Sequence, residues 1–205
     1  TLVVVQFAAS IFLIIGTLVI QRQINFLQNS DIGFEKSDVA VLNLPPGFNS
    51  NADAFKQRIL ADAGVLSASG CSGLPGDQFS NIGFNSPSVE KSFALNLYSC
   101  DKDYLEVMGM EMSEGRFFSE SFTTDSVGIV INEKAASVLN LENPIGTLIR
   151  TNIANAVGFT VIGVIKDYNY ESMHSEIRPL ALFLQGGPES RTLGSLAVRF
   201  ASGKQ

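Results

Sequence analysis

The residues best suited to acid–base or nucleophilic chemistry are few and scattered. The one histidine, His174, follows Asp167 by seven positions. A carboxylate at that distance orients an imidazole only where a turn brings the two together. Several serines could act as nucleophile, but no Gly-x-Ser-x-Gly elbow exists to expose one. The simpler reading puts His174 in a turn before Pro179, packed or bonded locally. Asp101 and Asp103 have the form of an acid pair, yet Asp101 is more simply the cap of a short helix. Arg116, beside Phe117 and Phe118, reads as a structural guanidinium over aromatic faces rather than a substrate clamp. We therefore expect no catalytic residues.

Cofactor and metal signatures are equally thin. Gly203-Lys204 is followed by Gln205, so the Gly-Lys pair belongs to no phosphate-binding loop. Gly70, Gly73 and Gly76 stand three apart, the wrong spacing for a dinucleotide turn. One histidine and no Cys-x-x-Cys pair argue against a metal site. Cys71 and Cys100 each close a predicted strand. Outside the cytoplasm they could pair, which the chain-entropy account values at ~3–4 kcal/mol. They could equally be two small buried residues, and the sequence leaves both readings open.

The elements that would carry these residues begin with a membrane helix. Residues 2–20 read LVVVQFAASIFLIIGTLVI, without a charge. At ~1.5 Å per residue that run nearly matches a hydrocarbon core of ~30 Å. A soluble helix needs a wet face, and this one has no charged face. The flank from Gln21 to Phe26 offers no cleavage site for a signal peptide. Gln6, Ala9/Ser10, Leu13 and Gly16/Thr17 recur at three-to-four spacing and share one stripe. Small and weakly polar residues on one stripe let another helix approach closely, and an amide in hydrocarbon wants a partner. We take Gln6, Ser10, Gly16 and Thr17 as a helix-packing face. The chain starts at Thr1 and is expected to be a piece of something longer.

Charge lies beyond the helix. Fourteen basic against twenty acidic residues give a net −6, which argues against a nucleic-acid partner and, weakly, against an anionic membrane surface. Residues 21–30 continue the helix as a polar stalk, broken at Gly33. Alternation predicts a strand over 39–44 and another over 65–69, with a helix between them capped by Ser50 and ending near Gly64. The Gly/Pro-rich stretch 70–88 reads as a loop and a boundary between lobes. Further strands are predicted over 92–98, 127–131, 159–165, 180–184 and 193–200, with 159–165 central. Short helices are predicted over 101–108, closed by Gly109, and over 133–139, with Asn132 as N-cap. The class is α+β with mixed strands.

Three ordered blocks carry a family resemblance. DKDYLEVMGM from Asp101, followed by EGRFF from Glu114, resembles the "D-x-D-Y … lG-m … GR-x-F" block in the extracytoplasmic core domain of MacB/FtsX-type ABC transporter permeases. IVINEKAA from Ile129, with Leu139 and NPIG from Asn143, resembles that family's "vviNe-x-aA … nPiG" block. VIGVIKD from Val161, continuing through Ser172, His174 and Pro179, is similar to its "v-iGVvkD … s-h … i-P" block. Gln6 to Phe34 looks like the membrane helix and stalk that begin such a domain.

The resemblance implies a transmembrane helix and stalk over 1–30, then a two-lobed extracytoplasmic, or periplasmic, core domain over 31–205. One lobe would be porter-like α/β, from about 31–75 and 155–205. The other, inserted and mostly β, would span about 76–154. It implies a cytoplasmic (inner) membrane location, with residues after about 30 outside. It also implies partners: a cytoplasmic ABC ATPase that binds the ATP, a second permease copy or half, and a periplasmic adaptor or cargo. The function implied is mechanotransmission, in which ATP-driven closure below the membrane moves the outer domain. The alternatives are a single-span extracytoplasmic sensor or ligand-binding module, and a membrane-anchored hydrolase resting on His174 and Asp167 alone. Family members run on past the last strand, whereas this sequence stops at Gln205, so the porter-like lobe is expected to be incomplete.

Overall fold

A computed structural model of the chain describes residues 2–29, 38–45, 48–75, 77, 80–87, 89–152, 157–168, 176–188 and 192–201. The chain divides into two units, 1–32 and 33–205. The first holds α1 (Leu2–Asn29), one unbroken helix of 28 residues. Its apolar side chains from Leu2 to Ile24 are about half exposed or more. A helix apolar on every side and buried on none is suited to hydrocarbon rather than water. By length and composition it can cross a membrane.

The second unit is built on strands. β1 (Val39–Asn43), α2 (Asn49–Leu60) and β2 (Val65–Cys71) come first. β10 (Ser195–Phe200) inserts between β1 and β2, antiparallel to both. α2 covers one face of this sheet, placing Phe55, Ile59 and Leu60 against Ala68, Leu196 and Val198. The N-cap of α2 is Phe48, with no side-chain cap bond. Ser50 lies inside the helix, so it is not the cap that its residue type suggested.

The remaining strands close on themselves. They are β3 (Ser80–Ser86), β4 (Val89–Cys100), β6 (Gly128–Asn132), β7 (Leu148–Thr151), β8 (Gly158–Ile165) and β9 (Leu180–Leu184). The pairings run β4–β3–β7–β8–β6–β9 and return to β4. Two contacts, β4–β9 and β6–β8, are parallel and the others antiparallel. A closed ring leaves no free sheet edge. A short β5 (Met112–Gly115) pairs with the far end of β8.

The period of two sorts the side chains between two cores. Phe84, Leu95, Leu97, Ile129, Ile131, Ile149, Phe159, Val161 and Phe183 alternate along their strands and form one cluster. Its aromatic centre has Phe159 and Phe183 4.8 Å apart. The opposite faces of the same strands, with Tyr98, Cys100, Val130, Ile165, Leu180 and Leu182, form another cluster with α3 (Tyr104–Met108). Gly109 ends α3 with a left-handed φ of 61°, a conformation glycine takes at little cost.

One expectation fails here. The stretch 70–88 is not all loop, because its second half is β3. Ile82 and Phe84 supply the apolar alternation, while serine, asparagine and glycine around them hide it. β8 and β9, inside the 155–205 span assigned above to the porter-like lobe, pair with β4, β6 and β7 in the ring.

Candidate functional site

The polar residues converge where β2 meets β4 and α3. Lys56 projects from α2, 7% exposed, held beside Phe55 on the covered side of the helix. Its Nζ donates to Oδ2 of Asp101 and Oδ2 of Asp103, both at 2.6 Å. Asp101 Oδ1 also accepts from Ser69 Oγ at 2.6 Å and from the Asp103 N–H at 3.0 Å. Its Oδ2 accepts from the Gly70 N–H at 2.9 Å. One carboxylate thus ties α2, β2 and the start of α3. Arg199 of β10 adds a second tie, donating from Nε and Nη2 to the Val107 carbonyl at 2.9 and 2.7 Å.

The electrostatics follow from that crowding. Burial works against the Lys56 charge, but bonds to Asp101 and Asp103 outweigh it and its pKa is raised. Burial likewise opposes ionisation of Asp103, and Lys56 outweighs it, so that carboxyl sits below its ordinary value. The N-cap of α3 is Asp103, not Asp101, and makes no side-chain cap bond. Asp101 and Asp103 are therefore neither an acid pair nor a simple cap. Their oxygens are occupied by the ammonium groups of Lys56 and Lys102, a hydroxyl and backbone N–H groups, which leaves a clamp rather than a base.

Asp167, the proposed orienter of a histidine, is engaged elsewhere. Its Oδ1 accepts from Asn132 Nδ2 and from the Lys134 N–H, each at 2.9 Å. Burial, the largest influence, raises its pKa against these two bonds. Asn132 caps α4 (Glu133–Val138) as expected, accepting from the Ala135 N–H at 3.0 Å. His174 lies outside the described residues.

Arg116 is not lone. Its guanidinium grips the buried Asp125 in a fork, at 2.6 and 2.7 Å. The aromatic ring beneath it is Phe122, 3.8 Å away, rather than Phe117 or Phe118. The pair pins the turn after β5 to the short 3-10 turn Thr123–Val127. Among the described residues no group of three or more His, Cys, Asp or Glu is placed to hold a metal. An open groove of roughly 540 Å³ runs beside α2, lined by Leu42, Ile59, Val198 and Phe200 with Arg58 and Asp62 at its rim. It offers no nucleophile.

On α1, Ser10 Oγ donates to the Gln6 carbonyl at 2.9 Å and Thr17 Oγ1 to the Leu13 carbonyl at 2.8 Å. Both hydroxyls are thus satisfied inside the helix. Apart from its chain neighbours and the helix's own backbone, nothing lies within 4 Å of where a Cβ on Gly16 would be. Cys71 and Cys100 are both fully buried. Lys56, Ser69 and Asp125 went unnoticed in the sequence. A lysine flanked by apolar helix positions is the one local signal that could have marked the clamp.

Comparison with known proteins matches residues 8–205 to the MacB-like periplasmic core domain. The macrolide export ATP-binding/permease protein MacB of Aggregatibacter actinomycetemcomitans is 35% identical over 121 residues, covering 54% of this chain. The match spans only 18% of that protein. Three solved structures share the fold. The periplasmic region of MacB from Actinobacillus actinomycetemcomitans gives a TM-score of 0.54 at 18% identity, over 84% of this chain and 78% of that one. The extracellular domain of the ABC-type transporter YknZ from Gram-positive bacteria gives 0.55 at 14%, over 80% and 83%. A domain of a putative permease protein from Porphyromonas gingivalis gives 0.55 at 17%, over 84% and 79%.

Proposed function

The chain belongs to the MacB-like periplasmic core domain family, and on that premise we propose that its outer domain is a lever worked from below the membrane. It is the periplasmic domain of an ABC transporter permease, with an apolar N-terminal helix. In our reading α1 anchors it in the cytoplasmic membrane and residues after about 30 lie outside. ATP is bound and hydrolysed by a cytoplasmic ABC ATPase, and its closure shifts the membrane helix. A second permease copy or half packs on the stripe of Gln6, Ser10, Gly16 and Thr17, where small side chains permit close approach. An adaptor or cargo is engaged by the outer domain. No step needs a catalytic residue or a cofactor on this chain.

The observation that carries this reading is the continuity of α1. Its 28 residues extend ~42 Å, longer than a hydrocarbon core of ~30 Å. The helix therefore runs on past the apolar segment without a break, and a continuous helix transmits displacement stiffly. The test is a Gly-Pro insertion between Gln23 and Ile24 in the parent protein. Export should fail while ATP hydrolysis persists. Undiminished export would overturn the lever.

A further inference from the structure

β2 and β4 are joined in register at a single position, and both residues there are cysteines: Cys71 faces Cys100. The flanking pairs carry the hydrogen bonds. Ser72 N–H donates to the Ser99 carbonyl at 2.8 Å on one side, and Asp101 N–H to the Gly70 carbonyl at 3.1 Å on the other. The cysteines therefore occupy a non-hydrogen-bonded pair, where Cα atoms approach to about 4.5 Å. That lies within the ~4.4–6.8 Å a disulfide spans. Partners in register point to the same face, and both side chains belong to one buried cluster with Leu74, Tyr98 and Tyr104. The Cys71 thiol donates weakly, to the Ser195 carbonyl at 3.8 Å.

We propose that Cys71 and Cys100 form a cross-strand disulfide that fastens the β1–β10–β2 sheet to the closed ring. The proposal rests on the reading that this domain lies outside the cytoplasm, where disulfides persist. The oxidant is a dithiol–disulfide carrier of that compartment. One cysteine thiolate attacks the carrier's disulfide and forms a mixed disulfide, releasing one carrier thiol. The second cysteine's thiolate then attacks the sulfur of the first, and the carrier leaves as a dithiol. Two electrons and two protons pass from the cysteines to the carrier. Burial pushes the Cys71 thiol up to about 12 and Cys100 well above its ordinary value. Thiolate is scarce once the core closes, so the exchange belongs to folding, before β2 seals against β4.

The test uses the parent protein in its own membrane. Spheroplasts are quenched in acid with an alkylating reagent, and the digest is read by mass spectrometry. In parallel, a membrane-impermeant amine reagent labels the exposed Lys91 to report the side of the membrane. We expect the Cys71 and Cys100 peptides linked, lighter than the free pair by two hydrogens and separated by reductant. Reduction should lower the melting temperature of the solubilised protein by about 5–10 °C. Cys71→Ala, Cys100→Ala and the double variant should each start lower and respond no further to reductant. Recovery of both peptides alkylated and unlinked overturns the proposal. Lys91 then separates the causes. If it is labelled, the location stands and only the disulfide falls; if it is unlabelled, the location reading falls too. Linked peptides with unlabelled Lys91 support the disulfide and remove the location instead.

Discussion

The side-chain amide of Asn132 donates to the Asp167 carboxylate at 2.9 Å, joining the end of β6 to the residues just past β8. The same amide donates to the Arg178 carbonyl at 3.1 Å, and its oxygen accepts from the Ala135 and Leu180 N–H groups. One fully buried residue therefore caps α4 and orders the start of β9. Three of its four partners come from two stretches of chain beyond its own helix, so its loss is felt well past α4.

Replacing Asn132 by alanine removes the cap and leaves the Leu180 N–H without its partner in the core. The expected cost is about 2–4 kcal/mol, combining a lost cap with an unsatisfied buried donor. Urea unfolding of the outer domain, read from the midpoint at unchanged slope, measures it. A change under half a kcal/mol would show that the cap alone is not what holds β9.

Lys56→Met leaves the Asp101 and Asp103 carboxylates facing each other without the ammonium between them. Breaking a largely covered pair on one side costs more than the pair is worth when intact. The aspartates keep some solvent contact, so about 2–3 kcal/mol is expected. Lys56→Met combined with Asp103→Asn should recover part of that loss. No recovery in the double variant would mean that methionine packing, not charge, sets the cost.

The clamp also fixes a pH dependence. Asp103 has a lowered folded pKa, so its stabilisation is present above its unfolded value of ~3.9 and is lost as pH falls through the folded value. Lys56 has a raised folded pKa, so its share is present below ~10.4 and is lost as pH rises through the folded value. Asp167, raised by burial, runs the other way and stabilises on protonation. The melting temperature should form a plateau that falls at both extremes, with the acid fall softened by Asp167. Asp103→Asn should flatten the acid limb. An acid limb as steep as the parent's would remove Asp103 from the account.

Gly163 sits where β8 passes the chain leaving β5. A Cβ there would lie 2.2 Å from the Arg116 carbonyl oxygen and 2.6 Å from Met112 Cε. The methionine can move, but the backbone carbonyl cannot without disturbing the Arg116–Asp125 fork. Gly163→Ala should therefore cost about 2–3 kcal/mol, as overpacking does elsewhere. Thermal melts of the variant against the parent would show it, and an unchanged midpoint would mean β5 is free to withdraw.

Much of this fold was legible where pattern and local chemistry agree. The charge-free run became one helix, strands alternated as expected, and Asn132 capped its helix because an amide oxygen at that position reaches the unpaired N–H of the first turn. What escaped notice depends on distance in sequence. β3 was hidden because its burial is shared with β4, and only Ile82 and Phe84 show through the polar residues. The clamp was invisible because Lys56 meets its partners 45 and 47 residues away. Arg116 looked alone because Asp125, nine residues on, reaches it only after a turn. Ring closure depends on a parallel contact between β4 and β9, which no local pattern announces.

Val39 and Arg199 face each other at one end of an antiparallel pair, and the Phe200 N–H donates to the Asp38 carbonyl at 2.8 Å. Among its described residues the strand-built unit thus begins and ends at practically one point. Such a body can be exchanged between hosts, because a host needs to offer only a narrow gap to accept it.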